Sequence, residues 1–423
     1  MQQQAPRPDI TETRTNSSQS PVEVLVVGSI ASDTACDFSP LVDPNDVARN
    51  IAPILHSSNP AVISGSVGGV GRNVATAAAY AGAKVSLLSV IADDMAGETL
   101  KTDLVRTGID ASNLIVLPSD TGARTAQYIS VNDRNKDLVL AMGDFTIFAR
   151  QEFDDMTYWS DIFSTTLQPK WLVADANWST KALSGILQAA KSAQIPVAFE
   201  PVSTAKATRL FHAAKGIRAG KLVEIATPNT YELAALEKAA RDNGFFEHEY
   251  WWETINNFEL SSAGSRDKFL KVLGPQLTDQ GVPQQTIRLL PYVSNVVTKL
   301  GSQGSLLTAI LNKDDVRLSD PAHAPYVLSR STRSGEIGGL YMRLFAPADV
   351  VSEDEIVSVN GVGDTMLGVI MAWLVRRQHY ESPIRLEEII PIAQKASVLT
   401  LKSTSSVSPE IRNSISTWFD ERH

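Results

Sequence analysis

Short β-rich runs that end in a turn and give way to helix recur along this chain, and this alternation limits its fold more than any other feature. Val22–Val27 ends at Gly28 and Ser29, the pattern of a buried strand meeting a turn. Gly68-Gly69-Val70-Gly71-Arg72-Asn73 opens an Ala-rich stretch, Val74–Ala81, which Gly82 stops before the apolar run Val85–Ile91. A further helix is read over Asp93–Thr107, and further strands at Trp171–Asp175, Pro196–Phe199, Leu222–Ala226 and Asn295–Leu300, with helical stretches after the first three. Such alternation predicts an α/β fold whose mostly parallel sheet is covered on both faces.

Composition narrows the partners. The chain has 423 residues, 38 Lys+Arg against 47 Asp+Glu and a net charge of −9, with no basic run, so no nucleic-acid partner is expected. Cys36 is the single cysteine, which excludes an intramolecular disulfide and a Cys-built zinc site, and the scattered histidines form no ligand pair. No apolar stretch nears the ~18 residues of a membrane span. The most apolar helical segment, Met366–Val375, runs straight into Arg376 and Arg377. No membrane partner and a cytoplasmic location are expected. Residues 1–21 are polar and read as a disordered leader ahead of one domain over 22–423.

Ala126–Val131 and Leu138–Met142 flank a polar turn and read as a hairpin, either a lid or a sheet edge. Two stretches break the rhythm and read as insertions. Residues 240–286 carry Phe245, Phe246, Tyr250, Trp251 and Trp252, which suit a small satellite core more than a partner-binding patch, and residues 312–347 are rich in Gly, Ser and Pro. A closing helix is read from Arg385 to about Ser403.

The sharpest chemical signal is Ser358-Val359-Asn360-Gly361-Val362-Gly363-Asp364-Thr365, two glycines and an acid at a helix start. Unpaired amides and the helix dipole make such a start an anion site. Asp364 beside it either accepts the proton of an attacking hydroxyl or caps the helix. The turn at Gly68–Asn73 is neither a dinucleotide fingerprint nor a P-loop; close backbone approach and the Asn73 amide suit sugar hydroxyls, or the turn is only tight packing. Asp33, shortly after the first strand, can accept from two vicinal hydroxyls, or is a solvated loop acid. Asn229 and Glu232 lie three apart at the start of a helix, spacing that fits a hydrated Mg²⁺ or a capping box.

In this order the pieces resemble the ribokinase-like PfkB family of sugar and nucleoside kinases, from about Val22 to Pro409. The resemblance implies a three-layer α/β/α fold with a small β lid, ATP and Mg²⁺ as cofactors, and a homodimer through the lid. Gly361 and Gly363 would form the anion hole and Asp364 the catalytic base. Asn229, Glu232, Thr298, Gly301, Gly304 and Ser397 would line the nucleotide site, with Glu232 also near the metal and Ala396–Ser408 as the far wall. Asp33, Gly68, Gly69 and Asn73 would hold the sugar, and Thr125 and Lys206 would stand near the base.

Val67–Asn73, Glu200-Pro201-Val202-Ser203 with Lys206, and Ser358–Asp364 are most similar to pseudouridine kinases, with Arg72 before Asn73 the weightiest detail. Phosphorylation of a ribonucleoside 5′-hydroxyl, with pseudouridine as substrate, is therefore the expected activity. A ribokinase-type or adenosine-type kinase and a catalytically silent nucleotide-binding scaffold are the alternatives. Ser358 and Val359 stand where the family has Asp-Thr in its monovalent-cation loop, so potassium activation is not carried over.

Overall fold

The structure is a computed structural model that describes residues 22–39, 52–165, 168–217, 220–260, 264–376 and 384–420. The leader read over residues 1–21 lies outside them. Among the described residues fourteen strands run in chain order. The first seven are β1 (Val24–Val27), β2 (Ala31–Phe38), β3 (Ala61–Gly68), β4 (Val85–Ala92), β5 (Leu114–Leu117), β6 (Gln127–Asn132) and β7 (Leu138–Asp144). The others are β8 (Trp171–Asp175), β9 (Val197–Glu200), β10 (Val223–Ala226), β11 (Val293–Lys299), β12 (Ser305–Asn312), β13 (Val327–Arg330) and β14 (Ile337–Phe345).

Ten of these strands form one sheet in the order β13-β14-β12-β11-β10-β9-β8-β1-β4-β5. It is parallel from β11 to β5, and an antiparallel wing of β12, β14 and β13 continues it. The alternation of β1 explains the layers. Leu25 and Val27 join one core with helices Thr180–Ser192 and Thr230–Asp242, while Val24 and Val26 join a second with helices Val70–Tyr80, Val362–Arg376 and Leu386–Leu401. A sheet buried on both faces needs near-continuous apolar strands, and β1, β4 and β8 are buried throughout.

Strands β3-β2-β6-β7 form a separate small sheet. It grows from the carboxyl end of β1 through β2 and returns through β3 straight into helix Val70–Tyr80. Asp33 therefore lies on a strand rather than in a loop, paired with Ser66 and Tyr128. Because β2 is half-buried and mixed in polarity and β3 is mostly exposed, neither carries the apolar signal that marks a core strand.

The two interrupting stretches differ from a reading as plain insertions. Ile337–Phe345 of the Gly/Ser/Pro-rich stretch is β14, hydrogen-bonded between β12 and β13 inside the large sheet. In the aromatic stretch Phe245 and Trp251 are buried within the larger of the two cores, where Phe245 packs on Phe211 and Tyr292, and Trp252 is exposed. No helix among the described residues is long and apolar enough to cross a membrane.

Candidate active site

Asp364 stands in the first turn of helix Val362–Arg376, which the Gly361 turn opens. Gly361 has φ 74°, and a Cβ there would fall 1.8 Å from the Ser406 carbonyl oxygen, so only glycine fits this junction. Thr365 N donates to Gly361 O at 2.8 Å, while the amides of Val362, Gly363 and Asp364 have no intramolecular acceptor among the described residues. Three donors thus point outward beside a carboxylate. That carboxylate is 8% exposed, and its Oδ2 accepts from Asn73 Nδ2 at 2.9 Å, the one hydrogen bond it takes among the described residues. The structure does not use Asp364 as a cap. Burial, joined by the charge of Glu200, pushes its carboxyl up to about 7 against the pull of Asn73 and Lys299.

The other glycine turn meets Asp364 from across the cleft, and its amides are engaged. Val70 N donates to Ser29 Oγ, Gly71 N to Asp175 Oδ2, Arg72 N to Ser29 O and Asn73 N to Gly69 O. The expectation that the Asn73 amide serves a sugar is corrected: that amide makes the first turn of helix Val70–Tyr80, and the side chain reaches the site instead. Glycines are required here by crowding, since a Cβ on Gly71 would lie 2.6 Å from the Gly28 backbone and one on Gly69 would lie 2.6 Å from Ile30 Cα. Arg72 is buried and donates to Asp103 Oδ2 at 2.7 Å, which fixes the backbone that carries Asn73. Asp33 lies against Gly68, where a Cβ would come within 1.9 Å of its Oδ2. Burial raises the Asp33 carboxyl to about 6 although the nearby Arg72 charge opposes it.

Lys206 and Thr125 have different fates. Lys206 Nζ donates to Asn177 Oδ1 at 2.6 Å and lies 4.5 Å from the centre of the Phe145 ring, at the edge of the same cleft. Thr125 is wholly buried; its hydroxyl donates to Asp94 Oδ1 and accepts from Ala92 N, so it braces the start of helix Met95–Thr107 and presents nothing to the cleft. Asp175 draws Ser29, Gly71 and Asn177 together, a hub that the sequence reading passed over. Its signal was its place: it ends a parallel strand, on the side of the sheet where open α/β folds bind ligands.

At the start of helix Thr230–Asp242, Asn229 and Glu232 do form a capping box, with Asn229 N donating to Glu232 Oε2 at 2.8 Å and Glu232 N to Asn229 Oδ1 at 2.9 Å. Glu232 Oε1 remains without a hydrogen-bond partner among the described residues. Burial, joined by the charge of Glu200, lifts the Glu232 carboxyl above its ordinary value against Lys299. Among the described residues no three metal-ligating side chains cluster. One open carboxylate oxygen fits a Mg²⁺ that keeps its waters and is carried by nucleotide phosphates. Gly301 and Gly304 take positive φ in the turn between β11 and β12, and a Gly304 Cβ would lie 2.0 Å from the Phe345 carbonyl oxygen. Thr298 is wholly buried and its hydroxyl has no partner among the described residues, while Ser397 Oγ donates to Val362 O and so ties helix Leu386–Leu401 to the Gly361 turn. Glu200 and Lys299, assigned no role from sequence, end β9 and β11 and pair at 3.0 Å.

The pfkB family carbohydrate kinase model matches residues 42–249, a segment that contains the first glycine turn and the Asn229–Glu232 box. Over that segment the chain is similar to the pfkB family of carbohydrate kinases. Among curated relatives, a pseudouridine-metabolizing bifunctional protein of Schizosaccharomyces pombe is 28% identical over 408 residues, covering 95% of this chain and 48% of that protein. A pseudouridine kinase of Escherichia coli is 30% identical over 209 residues, covering 49% of this chain and 63% of that protein. The chain thus spans about half of the first relative and under two thirds of the second. Among solved structures, Arabidopsis thaliana ribokinase complexed with ribose and ATP superposes with a TM-score of 0.58 at 15% identity, covering 94% of this chain and 99% of that one. The ribokinase-like fold expected from the sequence is the fold observed.

Proposed function

We propose that this chain is a pfkB-type, ATP-dependent kinase that phosphorylates the 5′-hydroxyl of a ribonucleoside, and that the nucleoside is pseudouridine. The observation that carries the reading is the meeting of the two turns: three amides, of Val362, Gly363 and Asp364, with no acceptor among the described residues, and the Asp364 carboxylate held by Asn73 from the opposite wall. The similarity to two proteins named for pseudouridine supports the choice of substrate.

Asp33 accepts hydroxyls of the ribose, with Gly68 leaving room for its carboxylate, Gly69 letting the turn pack on Ser29–Ala31 beside it, and Asn73 turned toward the same pocket. Lys206 stands at the base end. Asp364 takes the proton of the attacking hydroxyl, and the amides at Gly361–Gly363 stabilise the transferring phosphoryl group, donors fixed in place before charge develops. Asn229, Glu232, Thr298, Gly301, Gly304 and Ser397 border the nucleotide. Magnesium, when bound, offsets phosphate charge, and Glu232 would hold it through water.

Small-sheet register supports a homodimer through the lid. Ile63, Cys36, Val131 and Leu140 share one face with Ile129 and Met142, and Asp33 lies on the other. Ile63, Leu140 and Met142 are exposed, an apolar patch suited to a second copy. A single cysteine, half-buried on that sheet, accords with a cytoplasmic location.

The deciding measurement is ADP release with pseudouridine, uridine, adenosine, ribose and fructose offered in turn. Pseudouridine should give the highest kcat/KM. A preference for ribose or adenosine would replace the substrate, and no turnover with any of them, alongside tight ATP binding, would leave a nucleotide-binding scaffold.

A further inference from the structure

Lys299 is the last residue of β11, and its Nζ donates to Glu200 Oε1 at 3.0 Å and Oε2 at 3.2 Å. Thr227 donates its hydroxyl to the same Glu200 carboxylate, so the acid is held from two sides. The pair is lopsided in exposure: the Lys299 side chain is 17% exposed and that of Glu200 3%. Lys299 is therefore the more open member, and its ammonium end lies close to the second glycine turn. That end faces Gly363, where a Cβ would lie 2.8 Å from Nζ, so the missing side chain is what lets the charge approach the turn. The Gly363 amide is one of the three that have no acceptor among the described residues. An anion received by those amides comes within reach of Nζ.

We propose that Lys299 is a further catalytic residue of the phosphoryl transfer, its ammonium held by Glu200 and binding the phosphoryl group as that group crosses the Gly361–Gly363 turn. The inference rests on the kinase reading above. In the step, the bond from the acceptor oxygen to phosphorus forms, the bond from phosphorus to the bridging oxygen of ADP breaks, and the acceptor proton passes to Asp364. Lys299 keeps its protons throughout. Glu200 has a definite part in this. A lone lysine in so enclosed a place tends to lose its charge, and a paired one keeps it. Burial opposes the Lys299 charge, but Glu200, Glu232 and Asp364 together hold the ammonium above its ordinary pKa.

The test uses the full chain with Lys299→Met, and a Lys299→Met/Glu200→Gln double variant that leaves no unpaired acid behind. Calorimetry reads magnesium-ATP and magnesium-ADP affinity, and ADP release reads kcat. Loss of one such donor should lower kcat by roughly 10²-fold or more in both variants and weaken ATP binding while leaving ADP binding about as in the wild type. A double variant that turns over within about threefold of the wild type would overturn the proposal, because Lys299 would then serve only to neutralise Glu200. Should the wild type phosphorylate none of the offered acceptors, the kinase reading fails, yet ATP and ADP affinities still judge Lys299. Equal ATP affinity in the wild type and the double variant would then overturn it.

Discussion

The two glycine turns look alike as text and differ in what their amides do. Around Gly69 and Gly71 every amide from Val70 to Asn73 has an acceptor within the protein, whereas Val362, Gly363 and Asp364 have none among the described residues. The first turn is framework: it packs backbone on backbone at Gly28–Ala31 and projects the Asn73 side chain. The second keeps its donors free, which suits the anion receptor proposed above. Glycine at 71 answers a collision with main chain, glycine at 363 a collision with the tip of Lys299. A glycine-rich helix start is thus an anion site only when its donors are left over, and glycine spacing does not report that.

Substitution can break this comparison. Asp364→Asn should have the largest effect, a fall in kcat of about 10²–10⁴-fold by ADP release with ATP affinity largely kept, since the base is lost and the neighbouring donors are not. A variant with near-full kcat would remove the assigned base. Next, Gly71→Ala should cost about 1–3 kcal/mol in a denaturant melt, because backbone cannot yield as a side chain can. Gly363→Ala should melt close to wild type and lose roughly tenfold in kcat, its new methyl displacing Lys299 and crowding the anion site. Equal melting losses in these two variants would erase the distinction between framework and receptor.

The titration of Asp364 sharpens the same contrast. With its carboxyl near 7, the ionised base is depleted below that pH, so kcat/KM should fall on the acid side of about 7. Asn73 stabilises the ionised form, so Asn73→Ala should move this limb to higher pH; an unmoved limb would unlink the two turns. The smallest effect is on stability. A carboxyl raised from 3.8 to about 7 binds more protons folded than unfolded between those values, so the wild type loses stability across that window as pH rises. Asp364→Asn should therefore gain in Tm relative to wild type from pH 4 to 7 and hold the gain above it.

Much of this was legible because the buried parallel strands announce themselves. Trp171–Asp175 and Leu222–Ala226 are apolar runs between turn signals, and the structure places strands over Trp171–Asp175 and Val223–Ala226. Strands β2 and β3 stayed hidden, since a sheet open to solvent on one side needs no run of apolar residues, and β14 was masked by its glycines. At the site the glycine turns and Asp364 could be read from spacing. Glu200 and Lys299 could not: they lie 99 positions apart, and only the order β9-β10-β11 makes them neighbours. Thr125 shows the opposite failure, a polar residue in a promising place whose hydrogen bonds are turned inward.

Asn73 and Asp364 are separated by 291 positions, yet they share one hydrogen bond at the centre of the cleft. During synthesis the wall that carries Asn73 leaves the ribosome long before the helix that carries Asp364 exists, and helix Val70–Tyr80 must keep its face toward Val362–Arg376 uncovered until that partner arrives. The Asn73–Asp364 contact therefore cannot form until residue 364 has emerged, and closing so long a loop late makes assembly of the site a slow step of folding.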